Sequence, residues 1–160
     1  MSYNKMSAKV NDLIELTQSW KDMARISWND YFMCLAYLAS ARSPCARLHV
    51  GCILVKNKRV VSMGYNGFVT GEDHNSIIKV DACGKEHEIA TIHAEQNSVC
   101  YGANTGVSLN EATAYITHYP CINCTKLLAS CGITHIYYHE DYNNDPDVMK
   151  VCSKLIIEKI

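Results

Sequence analysis

The sequence has no excess of either charge: 15 lysines and arginines stand against 16 acidic residues over 160 positions, a formal charge of -1. Proteins that hold a long nucleic acid carry a basic excess or stripe, because neutralising phosphates drives that binding. A nucleic-acid polymer is therefore not expected as a partner, and a small molecule is. The chain also lacks an apolar run long enough to cross a membrane, and the polar stretch from Met1 to Met6 has no signal-peptide pattern. Repeats and low-complexity tracts are missing as well. Nine cysteines, an odd number, do not make the even framework of a small secreted disulfide protein. These absences predict a cytoplasmic, reducing location. In it the cysteines at positions 34, 52, 100, 131 and 152 read as small core residues, and Cys45, Cys83, Cys121 and Cys124 are left as candidate metal ligands.

Ordinary globular composition is present: 48% apolar and 19% charged residues. The length suits one domain over 1–160, with 1–27 as an N-terminal extension. Val10, Leu13, Ile14, Leu16 and Trp20 give an imperfect helical stripe, predicting a short helix on the body of the protein or on a neighbouring subunit. Ser27 is placed as an N-cap with Asp30 in capping-box position, opening a helix over 28–41 that turns Tyr31, Leu35, Leu38 and Ala39 inward. Val50 to Lys56 reads as a buried strand, Asn57-Lys58 as a hairpin turn and Arg59 to Tyr65 as the partner strand. Residues 68–89 are polar and aperiodic; a loop of that length is usually functional or held by something other than a core. Beyond it, helices over 93–101, 121–130 and 145–154 alternate with strands over 112–118, 133–138 and 155–157. Single strands alternating with helices predict parallel pairing. The expected fold class is α/β, a three-layer α/β/α sandwich around a mixed five-stranded sheet with its last two strands parallel.

The chemistry sits in two short stretches, Thr91-Ile92-His93-Ala94-Glu95 and Tyr119-Pro120-Cys121-Ile122-Asn123-Cys124. His93, Cys121 and Cys124 supply three zinc ligands and leave a fourth tetrahedral position for water, while Glu95 is a non-ligand acid able to move that water's protons. Cys121 and Cys124 share one face at the start of their helix, where the helix dipole favours thiolates. His93 opens its own helix, so two helix N-termini are predicted to converge on one ion. A lone Cys-x-x-Cys could equally be a redox pair or a structural corner, and a lone His-x-Glu says little. In this order, His-x-Glu then Pro-Cys-x-x-Cys, they resemble the signature of zinc nucleobase deaminases.

Cys45, His74, Cys83 and His87 remain. Four such ligands make a closed structural zinc site, which would clamp the core-poor segment from 68 to 89 to the loop after the 28–41 helix. The competing reading is exposed polar residues and quiet thiols. His49, His118, His135 and His139 read as surface or satisfied strand histidines.

Further blocks extend the resemblance. Ser27-Trp28-Asn29-Asp30-Tyr31-Phe32-Met33, Ser43-Pro44-Cys45, Val50-Gly51-Cys52-Ile53-Leu54-Val55, Gly64-Tyr65-Asn66-Gly67 and Ile92 to Asn97 are similar to deoxycytidylate (dCMP) deaminases over about residues 27–142. The resemblance implies the cytidine-deaminase fold and zinc-dependent conversion of dCMP to dUMP, a supply step for thymidylate synthesis. It also implies a homo-oligomer, commonly a hexamer, with dCTP and dTTP as effectors together with Mg2+, and in several members a second zinc near Cys45 to His87. By the same resemblance Asn66 contacts the sugar or phosphate, although its Gly-flanked turn equally suits a plain left-handed turn residue. Tyr119 is a candidate to pack on the base and equally to fill the sheet edge, Tyr142 to reach the phosphate end, and Asn97 to support the site one turn beyond His93. Many relatives carry a basic residue soon after Gly-Tyr-Asn-Gly; here Phe68-Val69-Thr70-Gly71-Glu72-Asp73 is acidic, leaving Arg47 and Lys58 as substitutes. Rival readings are another zinc deaminase acting on dCTP, cytidine or a tRNA adenosine, and a catalytically silent zinc-stabilised nucleotide-binding module.

Overall fold

The alternation of apolar residues along Gly51–Lys56 (β1) sends Cys52 and Leu54 to one face and Ile53 and Val55 to the other, and all four are buried. A strand covered on both sides needs a layer on each. In the computed structural model, which describes residues 8–84 and 86–160, both layers are present. On one face Cys52, Leu54, Ala114, Ile116 and Ile136 meet Ala94 and Leu128. On the other, Ile53, Val55 and Tyr115 meet Phe32, Met33, Ala36 and Ala39. Each fully buried Ile or Leu contributes about 2 kcal/mol, so these two faces outweigh any single helix cap at about 1 kcal/mol.

The hairpin forms as the sequence predicts. Asn57 and Lys58 take φ values of 52° and 58°, the doubly left-handed turn whose twist suits two adjacent strands. Arg59–Tyr65 (β2) returns antiparallel to β1, with a register shift between Leu54 and Val55. Thr113–His118 (β7) pairs antiparallel on the other side of β1, then His135–Glu140 (β8) and Ile156–Lys159 (β9) add in parallel. The order is β2-β1-β7-β8-β9, a mixed five-stranded sheet as expected. Between β2 and β7 lie short strands: Gly67–Phe68 (β3) pairs with Thr91–Ile92 (β6), and Ile78–Val80 (β4) with Glu86–Glu88 (β5). The aperiodic segment thus holds small ladders of its own.

Ala8–Ser19 (α1) is helical, yet none of its residues is buried, so it is not packed down on the body of the chain. Residues 1–7, including the polar start from Met1 to Met6, lie outside the described residues. Trp28–Ser40 (α2) is capped by Ser27, whose Oγ accepts from the Asp30 N–H at 3.0 Å and donates to its carboxylate at 2.7 Å. Its inward face agrees with the expected one at Ala39, which is buried, and at Leu35, which packs partly buried on the core, and differs elsewhere: Phe32, Met33 and Ala36 are buried, while Tyr31 and Leu38 are about half exposed. The helix is apolar on nearly every side, so periodicity alone could not choose its rotation. Gly51 chooses it, because a Cβ there would lie 1.9 Å from the Ala36 carbonyl oxygen. Bare backbone at Gly51 lets that turn of α2 sit directly on β1.

Ala94–Thr105 (α3) runs four residues beyond its expected end, and Gly106 stops it at φ 70°. Ile122–Ser130 (α4) ends before Gly132, at φ 82°. Asp147–Val151 (α5) is shorter than expected. Among the described residues, no helix is long and apolar enough to cross a membrane.

Candidate active site

His93 and Cys121 occupy equivalent places, each the extended residue just before a helix. His93 caps α3 at ψ 158° and Cys121 caps α4 at ψ 161°. An extended cap lets the side chain leave across the helix end. Gln96 holds the first of these in place by accepting from the His93 N–H at 2.9 Å. One turn into α4, Cys124 is 1% exposed and faces the same point. Nδ1 of His93 lies 3.7 Å from Sγ of Cys121 and 3.4 Å from Sγ of Cys124. A tetrahedral zinc with Zn–S of 2.3 Å and Zn–N near 2.05 Å sets its nitrogen and sulfur ligands about 3.6 Å apart. The donor set and the spacing therefore fit zinc, and among the described residues this is the group of three or more His, Cys, Asp or Glu side chains close enough to share an ion.

Glu95 belongs to the first turn of α3 and is 4% exposed. Burial pushes its carboxyl above the ordinary carboxylate range, partly offset by its own backbone N–H and by His93. A carboxyl raised in this way holds a proton more readily than an exposed one, which suits a group that must both take and give one. Cys121 is held down to about 4, first by the hydrogen bond from Cys124 and then by His93, against a desolvation that raises it. Cys124 moves strongly upward because it supplies that hydrogen bond. The opposite shifts belong to one coupled pair of thiols, and a bound divalent ion would favour the thiolate form of both. His93 is shifted upward, chiefly by Cys121.

What aims α3 at this point is a second bare backbone position. A Cβ at Gly64 would lie 2.3 Å from the Ala94 carbonyl and 2.5 Å from the Ser98 N–H nitrogen, so α3 packs directly on β2. Asn97 donates to the Tyr65 carbonyl at 2.9 Å and fixes the same approach. It does not line the cavity, so its expected place beside substrate becomes one of anchoring α3: a turn beyond His93, its side chain faces β2.

The cavity next to the cluster is lined by Glu95, His93 and Cys121 together with Arg47, Asn66, His118, Tyr119 and Tyr142. Asn66 is buried, and its amide is engaged at both ends: Oδ1 accepts from the Val50 N–H and Nδ2 donates to the Leu48 carbonyl, each at 2.8 Å. It is not among the residues with positive φ, so the left-handed turn reading is set aside. Asn66 shapes the 48–50 wall of the cavity, with one amide hydrogen still free of a protein partner in these bonds. Tyr119 lies at the cavity with its ring edge-on to Tyr138 at 4.9 Å. Tyr142 reaches it from the loop after β8, and its hydroxyl accepts from Arg47 at 2.8 Å.

His118 was not expected here. It ends β7, its Nδ1 is 2.9 Å from the Thr117 hydroxyl, and burial lowers its pKa. Its place was signalled by topology, since ligands gather at the carboxyl ends of parallel strands. Lys58 is elsewhere, over the Trp28 ring at 5.6 Å.

The structure does not bring the second set of four together. Cys45 is buried at the catalytic cavity. His74 stacks on Phe68 at 4.9 Å, His87 meets Asp81 at 2.8 Å, and Cys83 is exposed with its N–H on Asp81. The segment is organised instead by Glu88, which accepts from Ser76, Ile77 and Ala90.

The chain is similar to known proteins. A family model described as the cytidine and deoxycytidylate deaminase zinc-binding region matches residues 26–140. The chain is 42% identical over 127 residues to ComE operon protein 2 of Bacillus subtilis, covering 78% of this chain and 65% of that one. It is 36% identical over 128 residues to deoxycytidylate deaminase of Schizosaccharomyces pombe, covering 76% and 39%. In structure it is similar to dCMP deaminase from the cyanophage S-TIM5 in complex with dCMP and dUMP, at 26% identity and a TM-score of 0.69, over 98% of this chain and all of that one. The chain spans less than two thirds of the length of both sequence relatives.

Proposed function

The chain belongs to the cytidine and deoxycytidylate deaminase family, and from that premise we propose that it hydrolyses dCMP to dUMP and ammonia. The observation that carries this reading is a buried carboxyl, Glu95, placed beside three zinc-spaced ligands without being one of them. A purely structural metal corner has no use for such an acid, and that weighs against a silent binding module. The named substrate of the Schizosaccharomyces pombe relative and the nucleotides in the cyanophage structure support dCMP over other cytosine compounds.

His93, Cys121 and Cys124 would hold the zinc. When bound, zinc supplies the Lewis acidity that makes a water molecule nucleophilic near pH 7. Glu95 accepts the proton released as that water adds to C4 of cytosine and delivers it to N3. It then passes the second proton to the departing amino group, so ammonia leaves and the carboxylate returns to its starting state. Desolvation of Glu95 keeps its proton affinity high enough for both halves of the cycle. Tyr119 and His118 bound the space for the ring, and Asn66 fixes the wall that receives the sugar.

One domain over 1–160 acting in the cytoplasm, homo-oligomeric assembly up to a hexamer, and control by dCTP and dTTP with Mg2+ belong to the same proposal through family resemblance. The outward apolar residues Trp28, Tyr31 and Leu38 of α2 suit a subunit contact.

An ultraviolet assay of the zinc-loaded protein on dCMP tests the reading. Replacing Glu95 by Gln should keep zinc and fold while lowering kcat by about 100- to 10,000-fold, the usual worth of a positioned acid–base group. Normal turnover in Glu95→Gln would remove the assigned role, and no turnover by the wild type would remove the function.

A further inference from the structure

We propose that Thr117 locks His118 into one tautomer, so that the catalytic cavity is offered a neutral Nε2–H donor for an oxygen of the nucleotide's base or sugar. The tautomer stands on hydrogen-bond geometry alone. Its use toward a nucleotide rests on the deaminase reading above.

Thr117 is fully buried near the end of β7, and its hydroxyl meets two groups. The β1–β7 register ends at Cys52 and Ile116, and the Gly51 N–H just beyond it donates to Thr117 Oγ1 at 3.1 Å. His118 Nδ1 lies 2.9 Å from the same oxygen. A backbone N–H can only donate, so the oxygen accepts at Gly51 and still has its own proton to place. Among the described residues, no carbonyl or carboxylate takes that proton. His118 Nδ1 is the acceptor that remains. Were Nδ1 protonated, two N–H groups would face the oxygen and the hydroxyl proton would be buried without a partner, a costly state. Nδ1 is therefore the bare nitrogen, and the ring proton sits on Nε2.

The far edge of the ring is open. His118 is half-buried and lines the catalytic cavity with Glu95 and Cys121. Among the described residues Nε2 has no hydrogen-bond partner, and no buried side-chain nitrogen goes unpaired, so Nε2 stands in accessible space. Burial disfavours the charged imidazolium, helped by His139 and opposed by Glu140 on the neighbouring strand. An imidazolium would also need a proton on Nδ1, where Thr117 already supplies one. A neutral donor matches the neutral oxygens of a nucleotide, the cytosine carbonyl and the deoxyribose hydroxyl, and adds no charge beside Glu95.

Nitrogen-15 NMR of the histidine-labelled, zinc-loaded protein reads the tautomer, with His118→Gln assigning the signal by its loss. The wild type should show Nε2 protonated and Nδ1 bare; a protonated Nδ1 overturns the lock. Thr117→Val keeps the shape without the hydroxyl and should bring both tautomers into exchange, while Thr117→Ser restores one. An unchanged single tautomer in the Val variant overturns the positioning role of Thr117, and Thr117→Ala serves if that variant does not fold. His118→Leu should raise KM for dCMP about 3- to 10-fold, the worth of one neutral hydrogen bond. His118→Gln, whose amide donates from a similar reach, should recover part of it. An unchanged KM in the Leu variant, or an equal rise in both, overturns the donor role. With 2′,3′-dideoxycytidine monophosphate, disappearance of the Leu effect assigns the donor to the sugar hydroxyl, and its persistence to the base carbonyl. A wild type that does not turn over dCMP removes the deaminase reading and leaves the tautomer to the NMR result.

Discussion

His93, Cys121 and Cys124 leave helix ends laid on a sheet buried on both faces, whereas His74, Cys83 and His87 belong to a segment whose strands are two or three residues long. All three residues of β4 are exposed. The first set converges to within ligand distance, and the second does not. Both sets contain residue types and spacings that zinc accepts. The difference lies behind them: α3 is held by direct backbone contact at Gly64 and by the buried core around Ala94, while the 69–90 segment is held by the short β4–β5 ladder and by surface hydrogen bonds, among them those that Glu88 accepts. Ligand geometry to within a few tenths of an ångström needs the stiffer support.

The comparison breaks most sharply at the zinc cluster. Cys124→Ser should lose bound zinc and abolish measurable dCMP turnover; metal analysis that still finds a full zinc complement would show that the three side chains are not its ligands. A smaller effect is expected from the support. In Gly64→Ala the added methyl meets backbone 2.3 Å away, which cannot yield without moving α3. A loss of about 1–3 kcal/mol is expected for such overpacking, read as a lower Tm, together with weaker zinc retention because His93 moves with the helix. Gly71→Ala offers the matched control: φ is 89°, nothing lies within 4 Å, and strain of about 1 kcal/mol should appear with zinc retention unchanged. Equal zinc loss in both glycine variants would mean that packing behind α3 is not what places the ligand.

The smallest effect is expected in the 69–90 segment itself. The wild type should bind one zinc per chain, and His74→Ala with Cys83→Ser should leave that count where it is. Two zinc atoms, falling to one in the double variant, would restore a four-ligand site of Cys45, His74, Cys83 and His87 and end the contrast drawn between the two regions.

The cluster of three candidate zinc ligands was legible because its signals are local. His93 and Cys121 each precede a helix, Cys124 follows at one turn, and helix starts are written in short-range pattern. The same holds for the hairpin at Asn57-Lys58 and the cap at Ser27. The rotation of α2 was only partly legible, since its apolar residues lie on nearly every side; Gly51, fifteen residues beyond Ala36, made the selection. Nor was His118, whose place at the cavity depends on β7 and β8 lying parallel. Asn97 and Asn66 were both expected at the site; Asn66 lines the cavity and Asn97 does not, and each is also tied to a backbone group more than fifteen residues away.

Composition and short motifs by themselves determined the family, the three candidate zinc ligands and the alternation of strand and helix, because each depends on residues within a few positions of one another. Which cation faces the cavity, which helix side is buried and whether the second four ligands meet were decided by tertiary structure alone. Those outcomes turn on distances between segments remote in sequence, and only the packing of two helical layers against one sheet sets them.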